Sequence, residues 1–300
     1  MINISGIVKR FGETTVLDGL SCKIENGSVW GLVGINGAGK STLLRIMTGI
    51  YTADCGTVEY DGEAVFENPA VKGKISFVPD DLYLPAHSTM EDMAKIYKLL
   101  KHSFNEERFR ELAATFELDT KKRFGSFSKG MRRQAATALA IAEGNPYIFF
   151  DETFDGLDPF KRGYIKHILR EEAKTRGTTV IITSHSLREL EDVCDSLAIL
   201  DGGRFIENER ESRESEGAVK IQIAYSEPYD ESKFANLDII RFNKRGSVAL
   251  MIVRGEEAMV LETLRATSPL LLEVLPMTLE EVFSYNLDEH KLVEEEGSEK

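Results

Sequence analysis

Nowhere in the 300 residues does an apolar run approach the roughly 20 residues that a bilayer-spanning helix requires. The opening "MINISGIVKR" likewise carries no long apolar stretch of the secretory type. The expectation is a soluble globular protein in the cytoplasm; if it works at a membrane, something else holds it there. Cysteine is scarce. Cys22, Cys55 and Cys194 are odd in number, scattered and without metal-ligand spacing, which argues against a disulfide framework and for a reducing compartment. All three read as small core residues. Basic residues are also in short supply, with 37 Lys and Arg against 50 Asp and Glu and a formal net charge of −13. That balance disfavours broad binding to nucleic acid, and no nucleic-acid partner is expected.

The apolar content of 42% suffices for one large or two ordinary domains. Negative charge is concentrated late in the chain: from Asn208 onward about 20 acids face about 11 bases. The shift coincides with "NERESRESEG" (208–217), a polar run with almost nothing to bury, which reads as a linker. The last stretch, 288–300, reads as a charged tail.

Upstream of the linker the chain alternates. "SVWGLVG", "KISFV", "YIFF" and "TVIITS" are short apolar runs suited to strands buried on both faces, with helical stretches such as "GKSTLLRIMTG" and "PFKRGYIKHILREEAKTRG" between them. The pattern predicts an α/β domain over 1–207 with a mainly parallel core sheet. "LSCKIENGSVWGL" reads as two strands of a hairpin joined at Glu25-Asn26-Gly27. Between Pro79 and Gly144 the pattern is helical, which predicts a helical subdomain at about 80–144. Past the linker, "AVKIQIAYS" and "SVALMIVR" alternate as strands, "EEAMVLETLRAT" has helical spacing, and "PMTLEEVFSYNL" reads as a closing helix. A small α+β domain is expected over 218–287.

The strongest motif is "GINGAGKS" (34–41), which fits G-x-x-x-x-G-K-[ST] between the strand "VWGLV" and a helix. Glycines 34, 37 and 39 let backbone N–H groups face a polyphosphate; Lys40 supplies a point charge, and the Ser41 hydroxyl suits magnesium. Asn36, Ala38 and Thr42 complete the predicted phosphate contacts, with ATP and Mg²⁺ as cofactors. "FFDETFDGLDP" (149–159) then crowds Asp151, Glu152, Asp155 and Asp158 at a strand end, where like charges must be solvated, neutralised or divided among tasks. In a P-loop protein Asp151 is placed to contact the metal, and Glu152, one residue on, to reach the attacking water.

Taken in order, these motifs resemble the ATP-binding subunits of ABC transporters over about residues 2–206. Phe11 with Val16 looks like the aromatic loop that stacks on adenine, and "FVPDD" (77–81) falls at the Q-loop. "FSKGMRRQ" (127–134) resembles the signature segment, Asp158 the D-loop residue, and His185 the switch histidine. The resemblance implies a P-loop NTPase core with an antiparallel β subdomain and an inserted helical subdomain. It also implies two such domains, identical or paralogous, packed head to tail. Ser128, Lys129 and Gly130 would then meet the partner's ATP, with His185 positioning the γ-phosphate and Asp158 at the dimer junction. The partners implied are transmembrane subunits, which would hold the protein on the cytoplasmic face of the membrane.

Three positions depart from the commoner family pattern. Asp80 stands at the Q-loop where Gln is usual and remains a candidate metal ligand beside Ser41 and Asp151. Ser-Lys-Gly-Met replaces Ser-Gly-Gly-Gln, and Thr153-Phe154 replaces Pro-Thr. Lys40, Ser41, Asp151, Glu152 and His185 are retained, so an active ATPase is predicted. The C-terminal extension ending in "TLEEVF" resembles the exporter-type subset, with regulation or dimer contact as its expected role. Two readings compete: a soluble ATPase of the same type acting on nucleic acid or ribosomes, and a regulatory nucleotide-binding module without turnover.

Overall fold

The computed structural model describes residues 1–101, 103–154, 156–206 and 218–275. The predicted linker, closing helix and tail, and also Asp155, lie outside the described residues. The chain divides into two compact units, Met1–Glu207 and Asn208–Lys300.

In chain order the first unit runs β1 (Ile2–Phe11), β2 (Thr14–Ile24), β3 (Val29–Val33), α1 (Lys40–Met47), β4 (Cys55–Tyr60), β5 (Glu63–Ala64), α2 (Pro69–Lys72) and β6 (Ile75–Val78). It continues with α3 (Met90–Leu100), α4 (Glu106–Thr115), α5 (Lys129–Ala142), β7 (Tyr147–Phe150), α6 (Pro159–Arg176), β8 (Thr179–Ser184), α7 (Leu187–Leu190), β9 (Ser196–Asp201) and β10 (Arg204–Ile206). Two sheets form. One is antiparallel in the order β2-β1-β4-β5; the other has the order β10-β9-β3-β8-β7-β6 and is parallel from β9 to β6. A single apolar cluster joins Ile2, Ile4 and Leu20 of the first sheet, Leu43, Leu44 and Met47 of α1, and Leu32, Phe149 and Ile181 of the second. Helix α1 is therefore packed within the core shared by the two sheets, a layered solution that buries the apolar face of each element.

The expected hairpin at Glu25-Asn26-Gly27 is not one. β2 pairs with β1, Ile24 opposite Ile2, while β3 lies between β8 and β9 in the other sheet. The turn is real, with Gly27 at φ 70°, but it carries the chain from one sheet to the next. The reason is burial: β3 is covered at all five positions and needs a parallel neighbour on each side, whereas β2 has solvated positions.

Between Val78 and Tyr147 the described residues form helices and loops. Thr89 opens α3 with a capping box, accepting from the Asp92 N–H at 3.1 Å while Asp92 accepts from the Thr89 N–H at 3.1 Å. Asn105 caps α4. These caps satisfy orphan helix donors, each worth about 1 kcal/mol.

In the second unit β11 (Ala218–Ala224), β12 (Asp238–Arg245), β13 (Val248–Arg254) and β14 (Leu271–Leu275) form an antiparallel sheet in the order β12-β13-β11-β14. The helix α8 (Glu257–Arg265) contributes Val260 and Leu264 to a core with Ile221, Ile223, Met251 and Phe234. Strand β12, "DIIRFNKR", was not expected from the sequence: as an edge strand its charges reach solvent, which breaks the apolar signature.

Two of the three cysteines come near the core reading, Cys22 and Cys194 being half-buried and Cys22 packed against the core. Burial pushes the Cys22 and Cys194 thiols up to about 12. Cys55 departs from it and is exposed, beginning β4 opposite Val8 where the pairing of β4 with β1 ends.

Candidate functional site

The strand order sets β8 between β3 and β7, so the loops that follow these three parallel strands meet at their carboxyl ends. Register aligns Val33 with Ser184 and Phe150 with Ile182. Residues 34–41, the carboxylates after Phe150 and His185 thus arrive at the place where open α/β sheets bind ligands.

The loop after β3 is tied to β8 by the Gly34 N–H donating to Ser184 O at 3.3 Å. Gly39 sits at φ 104° and caps α1 without a side chain; an added Cβ would lie 2.7 Å from Leu17 Cδ2 and 3.1 Å from Val16 O. Glycine is required there both for the dihedral and for the close approach. Val16 is thereby placed against the loop. Asn36 and Gly37 are exposed at the tip of the loop, Ala38 is buried, and Ser41 and Thr42 are half-buried in the first turn of α1. Lys40, only 5% exposed, turns its ammonium onto the loop, donating to Gly34 O at 2.6 Å and Ile35 O at 3.1 Å.

The ammonium is also 3.1 Å from Glu152 Oε1. Glu152 Oε2 in turn lies 3.1 Å from His185 Nδ1 and accepts the His185 backbone N–H at 3.3 Å. Lys40, Glu152 and His185 therefore form one contact chain across three strand ends, with the carboxylate bridging loop and histidine. Glu152 has φ 49°, a left-handed conformation uncommon outside glycine and costing on the order of 1–3 kcal/mol. This kink after β7 separates the courses of two adjacent carboxylates.

Asp151, 1% exposed, has a different environment. Its Oδ1 accepts from the Thr183 hydroxyl at 2.8 Å, and the same hydroxyl accepts the Glu152 N–H at 3.0 Å. Thr183 thus orients both acids. Sequence reasoning missed it, the one available signal being a hydroxyl inside the apolar run "TVIITS". Asp151 Oδ2 is buried without a hydrogen-bond partner. A buried carboxylate oxygen left unpaired is unfavourable, and a cation ligated there removes the penalty. Among the described residues no cluster of three or more His, Cys, Asp or Glu could hold a metal. Magnesium is commonly bound by one or two protein groups, with phosphate oxygens and water completing the octahedron. Asp151 and the Ser41 hydroxyl would hold it.

The loops around His185 and after Thr153 are braced together. The Ser184 hydroxyl donates to Glu189 Oε2 at 2.6 Å, and Glu189 Oε1 is 2.6 Å from Arg162 Nη1 on α6. Arg162 Nη2 also donates to Leu157 O at 3.3 Å. The Thr153-Phe154 pair is fully buried, and the Lys166 ammonium of α6 lies 5.5 Å from the Phe154 ring centroid. Phe154 is an anchor that fastens this loop onto the helix after it.

Asp158 is the N-cap of α6, accepting the Lys161 N–H at 2.9 Å. Ser128 caps α5, accepting from the Met131 N–H at 3.2 Å. The Lys129 stem lies along Gly156, and Gly130 comes so close to Gly156 O that a Cβ would be 3.1 Å away. Segments 128–130 and 156–158 are thus neighbours. Asp80, 52% exposed at its side chain, is 2.7 Å from Arg133 Nη2. Phe11 is 48% exposed, edge-on to Tyr51 at 5.9 Å, with the Lys9 ammonium 5.4 Å from its ring centroid.

A family model described as ABC transporter matches residues 17–155. The ABC transporter ATP-binding protein YtrB of Bacillus subtilis is 28% identical over 283 residues, covering 94% of this chain and 97% of its own. The Nod factor export ATP-binding protein I of Rhizobium etli is 30% identical over 292 residues, covering 94% and 92%. An ATP-binding cassette solved as a dimer in a post-hydrolysis state with ADP and Pi shares the fold, with a TM-score of 0.62 at 22% identity over 68% of this chain and 96% of its own. With the phosphate loop, the paired acids and the histidine assembled on an α/β core of this kind, the chain belongs to the ATP-binding subunits of ABC transporters and is an ABC-type ATPase.

Proposed function

We propose that this ATPase energises export through separate transmembrane subunits, holding each ATP·Mg²⁺ between the phosphate loop of one ATP-binding chain and residues 128–130 of another. The observation that carries the reading is the contact chain Lys40, Glu152, His185 beside the unpartnered Asp151 Oδ2. In this scheme a polyphosphate takes over Lys40, which releases Glu152 Oε1 to accept a proton from water. His185 holds both that carboxylate and the γ-phosphate. Ser41 and Asp151 would hold magnesium, which when bound would neutralise part of the phosphate charge. Ser128, Lys129 and Gly130 act on the other chain's nucleotide, and Asp158, at the cap of α6, lies at the junction.

Export rather than import is supported by the relative named for Nod factor export, aligned over nearly its whole length. No described helix is long and apolar enough to cross a membrane, and the scheme assigns the crossing to a separate spanning partner. Helix α3 carries exposed Ile96, Leu99 and Leu100 at helical spacing, with Tyr83 exposed in the preceding loop; these apolar groups favour a docking role for the helical block. Such a partner would hold the chain at the cytoplasmic face of the membrane.

The sandwich is tested by light scattering on Glu152→Gln with ATP and magnesium. A doubling of mass that requires both is expected, and a strict monomer at every concentration sinks the homodimeric form. Adenine stacking on Phe11 gives a second expectation. Phe11→Ala should raise KM for ATP by about 5- to 150-fold with kcat nearly unchanged, the equivalent of roughly 1–3 kcal/mol of ground-state stacking. An unchanged KM in steady-state kinetics removes Phe11 from the site.

A further inference from the structure

Arg133 heads the large side chains that this fold buries fully, at 1% exposure. It lies on α5, little more than one turn past the capping Ser128. Its guanidinium spans the ends of two adjacent parallel strands. Nη1 donates to Pro79 O, just past β6, at 3.0 Å and approaches Asp151 O, just past β7, at 3.5 Å. Nη2 donates to Asp80 Oδ1 at 2.7 Å. A buried guanidinium needs a counter-ion, and among the described residues Asp80 is the carboxylate in ion-pair range.

These contacts link two sites by a short path. At one end is the backbone of Asp151, whose side chain carries the free oxygen suited to a cation. At the other is the segment Ser128–Gly130, at the start of the same rigid helix that carries Arg133. Resting on the ATPase reading above, we infer that Asp80 and Arg133 act as a positioning pair. The pair conveys the placement of the Asp151 strand end to the 128–130 segment, and Asp80 serves as counter-ion to Arg133 in place of ligating metal. When cation and phosphate draw on Asp151, its carbonyl shifts against Arg133. Helix α5, tied through the planar fork to both strand ends, follows as a unit. Occupancy of a chain's own site thereby sets the segment it offers to the other chain's nucleotide.

The test uses the full chain with Asp80→Asn, Arg133→Lys, Arg133→Met and the double variant Asp80→Asn/Arg133→Met, each checked for cooperative thermal unfolding. Magnesium dependence is read from binding of a fluorescent ATP analogue, and the response of residues 124–134 from hydrogen exchange with and without Mg²⁺·ATP. Asp80→Asn is expected to keep the half-saturating magnesium within about twofold while losing at least about half of the nucleotide-dependent protection at 128–134. The double variant should lose no more than the worse single variant, as coupled groups do, and Arg133→Lys should restore part of the loss. In turnover, kcat should fall by about tenfold with KM for ATP held within about twofold. A rise of about tenfold or more in half-saturating magnesium for Asp80→Asn, with protection retained, makes Asp80 a metal ligand and overturns the inference. Additive losses in the double variant overturn it as well. If Arg133→Met does not fold, Asp80→Asn and Arg133→Lys decide the question. A wild-type chain that binds the analogue but never hydrolyses ATP defeats the ATPase reading alone, since the magnesium and exchange measurements still judge the pair.

Discussion

Replacing Glu152 by Gln is expected to lower kcat for ATP hydrolysis by about 10²- to 10⁴-fold, the usual scale for losing a positioned general base. The geometry explains why the effect should fall on turnover and leave binding in place. Glu152 bridges Lys40 Nζ at 3.1 Å and His185 Nδ1 at 3.1 Å, and a Gln amide oxygen can still accept from one of them. What Gln cannot do is take a proton. The backbone of residue 152 is held independently by the Thr183 hydroxyl, so its left-handed conformation should survive the exchange. Steady-state rates measured with the membrane partner present check this. A variant within about threefold of wild type would move the base elsewhere, since a general base contributes far more than that.

Lys40→Ala should be the more severe change for nucleotide binding. The ammonium is buried and spends its donors on Gly34 O, Ile35 O and Glu152. On the proposed reading a polyphosphate that enters the loop replaces Glu152 as the anionic partner, so the lysine charge would contribute both before and after binding. Loss of one such charge-assisted donor should weaken ATP affinity by about 10²- to 10³-fold and hydrolysis at least as much. The variant also leaves the Glu152 carboxylate facing two loop carbonyls, a local repulsion that should lower the melting temperature. Calorimetric titration with ATP and a thermal melt separate the two effects. A variant that melts lower but binds ATP like the wild type would show that Lys40 holds the loop together without touching phosphate.

Much of this fold was legible because its signals are local. The short, mainly apolar and fully buried strands β3, β7 and β8 and the glycine spacing of residues 34–41 each follow from short-range requirements. The chain's passage between sheets at Gly27 was not, because a turn residue fixes the local dihedral and says nothing about which strand will be the next neighbour. Cys55 was misplaced for a related reason: free cysteine is usually buried, but this one begins a strand where its pairing with β1 ends. Strand β12 escaped notice because an edge strand keeps its charges in water.

The candidate site divides in the same way. Lys40, Asp151, Glu152 and His185 could be named from residue type and order. That Glu152 would touch both Lys40 and His185 could not, since the three lie more than 30 residues apart and meet only when β8 inserts between β3 and β7. Thr183 and Arg133 carry no motif; each matters through what it is packed against. Thr153-Phe154, an unexplained departure in the sequence, is accounted for in part once Phe154 is found buried beneath Lys166.

Taken alone, the sequence determined the chemistry this protein can attempt: a phosphate cradle, a carboxylate pair and a histidine, in an order set by local backbone needs and residue type. Tertiary structure decided how those groups are shared. It gave Asp151 a buried free oxygen, turned Glu152 away through a left-handed residue, and brought Asp80 within 2.7 Å of Arg133. The reason is physical. Covalent spacing fixes which groups are near along the chain, but the hydrogen-bond partners of a buried charge are chosen by strand order and by the requirement that each be satisfied where water is excluded.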